Sequence, residues 1–197
     1  GQINYWFTEL TDNNLASSQE YYLNDHLFDS SGNIIIAGVS KGTFPNQNHW
    51  FHKINKNGDI SVTRGWNDSS GSGADVTDIE IDSSDNVYAA IGNGRFIKWD
   101  SSNNIVYSKQ NTWSNSNQNF GDSGVGFGSL SIASNFTYLN YYSIGSNRRT
   151  MQVDTATGDL TASLTTSAGN TIFGPGGFAK TSQGNFLCGY VQGPGSN

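Results

Sequence analysis

Asp78, Glu80 and Asp82 alternate along Asp78-Ile79-Glu80-Ile81-Asp82, the pattern of a strand with three carboxylates on one face and two isoleucines on the other. Acids in such a row can line a channel and hold a hard cation such as Ca²⁺, which takes about six to eight oxygen ligands. Asp25 and Asp29 fall at positions equivalent to Asp78 and Asp82. A local use competes with the channel. An Asp that opens a tight turn bonds its own backbone two residues on. Asp29 and Asp82 each open such a turn, so turn capping is the expected role, and no metal or cofactor is assigned.

The other chemistry-bearing residues resolve in the same direction. Asn55-Lys56-Asn57-Gly58-Asp59 looks like the start of a calcium loop but lacks the acid that closes one, so it reads as a hairpin turn. His26, His49 and His52 are dispersed, and His49 and His52 do not share a strand face, which argues against a common metal. The single cysteine, Cys188, lies in the apolar run Phe186-Leu187-Cys188-Gly189-Tyr190 and reads as a small buried hydrophobe rather than a nucleophile. No nucleophile elbow is visible, and Glu9, Glu20 and Glu80, the only glutamates, form no evident acid pair. No catalytic residue is assigned, and the expectation is a protein that is not an enzyme. Aromatics are the better lead. Trp50, Trp66, Trp99 and Trp113 recur with Tyr21, Tyr22, Tyr141 and Tyr142 near strand ends. About half of such a set should wedge between packed sheets. Trp113 and Phe120, on a long polar stretch, are the candidate contacts for a sugar or a protein partner.

Composition narrows the class. Charged residues make up 13% and aromatics 13% of 197 residues, a balance that favours a packed core over disorder. The 24 glycines, with abundant Asn, Asp and Ser, supply the turns of an all-β chain. The net charge of −6, with no basic cluster beyond Arg148-Arg149, disfavours nucleic acid as a partner. No apolar run reaches membrane length, so membrane insertion is not expected. A start at Gly1 without Met fits a processed product or a piece of something longer.

Repetition positions all of these residues. Asp25-His-Leu-Phe-Asp-Ser-Ser-Gly-Asn-Ile-Ile-Ile-Ala37 matches Asp78-Ile-Glu-Ile-Asp-Ser-Ser-Asp-Asn-Val-Tyr-Ala-Ala90, and Gly177 to Cys188 is a looser copy. Phe51 to Ile60 matches Phe96 to Ile105; Met151 to Leu160 follows with one extra residue, and Trp6 to Leu15 is degenerate. The turn anchors Leu15, Ile60, Ile105 and Leu160 are separated by 45, 45 and 55 positions (60−15, 105−60, 160−105), each near the length of one propeller blade. Strands are expected at 3–10, 13–20, 23–29, 33–39, 49–55, 59–65, 76–82, 86–91, 95–100, 104–110, 128–133, 136–143, 148–154, 159–165, 176–181 and 185–191. The fold class is therefore all-β: a single β-propeller domain over 1–197, built of four-stranded antiparallel blades. Four blades would close if the two terminal half-units pair; the alternative is an arc of a larger propeller.

Asp29-Ser-Ser-Gly-Asn-Ile-Ile-Ile-Ala-Gly38 and Phe96-Ile-Lys-Trp-Asp-Ser-Ser-Asn-Asn-Ile-Val-Tyr107 resemble the bacterial and phage β-propeller repeats of the NHL and SBBP kind. The resemblance spans most of the chain and is weakest over 111–150. It implies no catalytic residue. It implies a virion or extracellular structural protein, including a marine phage component, that meets other structural subunits or a cell-surface glycan or protein. A secreted bacterial adhesion or carbohydrate-binding module is the second expectation. A fragment of a propeller hydrolase or lyase is the third.

Overall fold

A computed structural model describes residues 20–41, 48–67, 76–91, 95–110, 126–142, 147–167, 172–180 and 186–192. Fourteen strands and no helix occur among them. Backbone contacts divide the chain into two compact units, Gly1–Gly73 and Ala74–Asn197.

The first unit holds one four-stranded antiparallel sheet in sequential order: β1 (Glu20–Phe28), β2 (Ile34–Lys41), β3 (Asn48–Ile54) and β4 (Ile60–Asn67). Its central strand β2 is apolar on both faces, with Ile35, Ile36 and Ala37 buried. A strand covered on two sides reads as a continuous apolar run rather than an alternating one. Glu20, expected to end an N-terminal strand, instead opens β1 by pairing with Lys41. The strands expected at 3–10 and over 13–19 lie outside the described residues.

The second unit repeats the same meander twice. Its first sheet is β5 (Val76–Ile81), β6 (Val87–Ile91), β7 (Arg95–Trp99) and β8 (Ile105–Gln110). The next is β9 (Gly126–Ala133), β10 (Phe136–Tyr142), β11 (Asn147–Asp154) and β12 (Leu160–Ser167). A two-stranded sheet follows, β13 (Ile172–Lys180) with β14 (Phe186–Gln192). First strands neighbour first strands: β5 lies beside β9, and β9 beside β13. Between the two four-stranded sheets, Tyr88, Ala90, Phe96 and Tyr107 pack with Leu130, Leu139, Met151 and Val153 into one buried cluster. Phe96 stacks on Tyr88 at 6.2 Å and tilts against Tyr107 at 5.6 Å between ring centroids. Aromatic wedging was expected of other residues; of those named, Trp99 is buried.

The three full sheets share irregularities as well as strands. Each first strand carries one extra residue at a register shift, Asn24, Thr77 and Gly128 respectively. Each fourth strand carries another, Ser61, Val106 and Thr161. Bulges bend and twist a strand, and on a sheet's outer edge they discourage pairing with a foreign strand. The same two bulges at the same two places make the sheets structural copies even where their sequences have diverged.

Candidate functional site

Tight turns join β1 to β2, β3 to β4, β5 to β6, β7 to β8 and β11 to β12, and each opens with Asp or Asn. In the first four the opening residue's N–H donates to the carbonyl four residues on, as Asp29 to Asn33 (3.0 Å), Asn55 to Asp59 (2.9 Å), Asp82 to Asn86 (3.0 Å) and Asp100 to Asn104 (2.9 Å). The β11–β12 turn is one residue longer and closes from Asp154 to Asp159 at 2.9 Å. The residue before the last takes a positive φ in each turn: Gly32, Gly58, Asp85, Asn103 and Gly158, at 79, 90, 60, 67 and 73°. Only Gly, Asn and Asp visit that region readily, which is why these types recur there. The side chains of the opening residues turn inward. Asp29 accepts from the N–H of Ser31 (3.0 Å) and Asn33 (2.8 Å) and from Asn33 Nδ2 (2.7 Å). Asp82 repeats this with Ser84, Asn86 and Asn86 Nδ2 at 2.9, 3.0 and 2.8 Å. Asp100 bonds Asn104 twice, and Asp154 takes the N–H groups of Ala156 and Thr157.

Equivalent positions diverge in one informative way. Lys53 on β3 reaches Asp29 at 2.6 Å, with the carboxylate side chain only 2% exposed. Lys98 holds the matching place on β7 but leaves Asp82. A phenol has taken its role: Tyr88 stands where the first sheet has Ile35, and its hydroxyl donates to Asp82 Oδ2 at 3.0 Å. Lys98 passes over the Tyr88 ring, 5.0 Å from its centroid, and donates at 2.8 Å to the Thr155 carbonyl in the β11–β12 turn. Tyr107 OH points to the same carbonyl at 3.5 Å, and Lys109 pairs with Asp159 at 3.0 Å. Below them Gly158 sits so close that a Cβ would stand 2.8 Å from the Tyr107 ring. The second sheet is thus fastened to a turn of the third by a polar seam: Asp82, Tyr88, Lys98, Tyr107 and the Thr155 carbonyl.

Titration in this seam reflects its enclosure. Burial pushes the Tyr88 phenol well above the usual range, and the bond to Asp82 adds to it. Burial does the same to Tyr107, aided by the nearby Tyr88, Asp154 and Asp82. Burial also raises Asp82 and Asp29. In both, the donated hydrogen bonds outweigh it, leaving Asp82 below its ordinary value and Asp29 at about 2. The Asp154 carboxyl is held down by the N–H groups of Thr157 and Ala156. These are acids kept ionised and phenols kept neutral, the reverse of what proton transfer near neutral pH asks of them.

The acids that alternate in sequence part company in space. Asp78 Oδ2 accepts the Leu130 N–H from β9 at 2.6 Å, whereas Asp82 folds into its own turn. Among the described residues no three His, Cys, Asp or Glu side chains are grouped to hold a metal ion. His52 is buried, and His26 is exposed and meets Phe28 edge-on at 6.2 Å. Trp113 and Phe120, the candidate partner contacts, lie outside the described residues. The seam itself was missed by sequence reasoning, because Lys98 and Thr155 are 57 positions apart and belong to different repeats.

No known protein family matches the sequence, and no curated protein resembles it. Solved structures do. A protein of unknown function from Bacteroides caccae aligns over 77% of this chain and 49% of its own, with a TM-score of 0.50 and 11% identity. The Dos1 propeller aligns over 83% of this chain and 41% of its own, with a TM-score of 0.55 and 17% identity. The chain spans less than half the length of either. These likenesses show the fold: an all-β chain of four-stranded antiparallel sheets in the manner of propeller blades.

Proposed function

We propose that this chain is a non-enzymatic structural module of a virion or an extracellular surface, in which propeller blades hold a set of loops rigidly for binding a neighbouring subunit or a host surface. One observation carries the reading. Each four-stranded sheet keeps its tight turns at one end, and there Asp29, Asp59, Asp82, Asp100, Asp154 and Asp159 accept internal hydrogen bonds. Strands β2, β8 and β12 end at Lys41, Gln110 and Ser167, at the opposite end of their sheets, where the sequence runs on into 42–47, 111–125 and 168–171. The 111–125 segment carries Trp113 and Phe120. Aromatic side chains on a stiff support give large contact area at little ordering cost, the usual basis of a binding hot spot. The test is binding of the purified chain to its native particle or surface, and to a glycan array, beside Trp113→Ala and Phe120→Ala. Retained folding with binding weakened about tenfold or more supports the proposal. Undiminished binding by both variants sinks it, and a specific glycan signal would select the adhesion form of the same reading.

A further inference from the structure

We infer that Asn57 is a site of spontaneous modification, where the folded chain turns an asparagine into a carboxylate with water as the only reagent. The tight turns place Ser31, Asn57, Ser84, Ser102 and Thr157 directly before the residue of positive φ, so among them the β3–β4 turn alone carries an amide there. Asn57 is exposed, and Gly58 follows it at a φ of 90°. Glycine puts no side chain beside its own nitrogen and leaves the backbone free to reach the preceding carboxamide. The carboxamides at the ends of these turns are held instead. Asn33, Asn55, Asn86 and Asn104 donate theirs to Asp29, Asp59, Asp82 and Asp100 at 2.7, 3.1, 2.8 and 3.1 Å. Ile34, Val87 and Ile105 follow three of them, and a stiff β-branched side chain crowds the nitrogen that would have to attack. The Asn57 carboxamide makes no hydrogen bond among the described residues; its backbone N–H alone is engaged, by Asn55 Oδ1 at 2.9 Å. In the first step the Gly58 nitrogen attacks Asn57 Cγ. An N–C bond forms, the Cγ–Nδ2 bond breaks, and ammonia leaves with the Gly58 amide proton. Water then opens the succinimide at either carbonyl, giving aspartate or isoaspartate. The Gly58 N–H must first leave the Asn55 carbonyl, which it meets at 2.9 Å, so local opening of the turn paces the reaction. The sheet can absorb both products. Aspartate keeps the backbone as it is. Isoaspartate lengthens the turn by one methylene, less than the whole extra residue that the β11–β12 turn already holds between Asp154 and Asp159. Either product adds a negative charge near Asp59 to a chain whose net charge is −6.

Peptide mapping by mass spectrometry, on the full chain aged in mildly alkaline buffer, tests the site. The peptide holding Asn57 should exchange an amide for an acid and become a substrate for protein isoaspartate methyltransferase. Peptides holding Asn33, Asn86 and Asn104 should stay unchanged over the same period. Asn93 is also followed by glycine but lies outside the described residues, and mapping separates its peptide from that of Asn57. Asn57→Ser installs the residue that three equivalent turns carry and should abolish both the mass change and the methyl acceptance at this turn. Should that variant fail to fold, the aged wild-type chain decides by itself. An Asn57 that stays intact in the folded chain, or one that changes no faster than Asn33, overturns the inference.

Discussion

Asp29→Asn isolates the buried ion pair of the first sheet. The wild-type carboxylate accepts four hydrogen bonds, from Ser31 N, Asn33 N, Asn33 Nδ2 and Lys53 Nζ. An amide at this site can still accept the two backbone bonds through its oxygen. Its NH₂ then faces two donors, Asn33 Nδ2 and Lys53 Nζ, and neither contact survives. Lys53 is 19% exposed and reaches water in part, so the cost falls below that of a fully stranded buried charge. The depressed carboxyl gives an independent figure. A drop from 3.8 to about 2 corresponds to roughly 2 kcal/mol of stability at neutral pH. The sign follows from linkage: the folded carboxyl is the stronger acid, so this stability is complete above about pH 4 and is lost as pH falls towards about 2. Urea denaturation of wild type and Asp29→Asn across this range should show a gap of about 2 kcal/mol near neutrality that closes in acid. The double variant Asp29→Asn with Lys53→Met should recover part of the loss, because it removes the stranded cation. A gap that stays constant with pH, or one under about 0.5 kcal/mol at neutrality, would refute the assignment of Asp29 as the paired anchor of this sheet.

Three further outcomes follow from the second unit. Thr137 is fully buried, and its hydroxyl has no partner among the described residues; Ile34 and Val87 hold its place in the other sheets. Thr137→Val should therefore stabilise by about 1 kcal/mol in thermal or urea unfolding, since a buried orphan hydroxyl costs about that much. Gly158→Ala combines a φ of +73° with a Cβ 2.8 Å from the Tyr107 ring, and should lower stability by about 2 kcal/mol or more by the same assays. In an alkaline absorbance titration, Tyr88 and Tyr107 should remain neutral after ordinary phenols near pH 10 have ionised, and should ionise only when denaturant opens the fold.

The regular parts of the fold were legible because they are local. Asp-Ser-Ser-Gly-Asn and Asp-Ser-Ser-Asp-Asn announce their hairpins, since the first residue caps the turn and the fourth must tolerate positive φ. Alternating and continuous apolar runs then place the strands on either side, within a few residues of where they stand. The bulges were not legible: Asn24, Thr77 and Gly128 share no residue type, and a bulge is set by how a strand meets its neighbour. Nor was the seam. Lys53 and Lys98 occupy one repeat position, yet a tyrosine in place of an isoleucine directly opposite on the adjacent strand accompanies a Lys98 that turns to another sheet. The alternation of Asp78 and Asp82 suggested a shared face for a cation. In space the bulge before Asp78 and the turn at Asp82 give the two carboxylates separate partners. Turn capping, the expected role, accounts for Asp82 and Asp29 but not for Asp78.

The most direct test is a density map of the chain in its native assembly, fine enough to follow individual strands. The account predicts partner contacts at the end of the sheets where segments 42–47, 111–125 and 168–171 depart, with the turns at Asp29, Asn55, Asp82, Asp100 and Asp154 left clear. A partner seated on those turns, with the opposite ends bare, would contradict it.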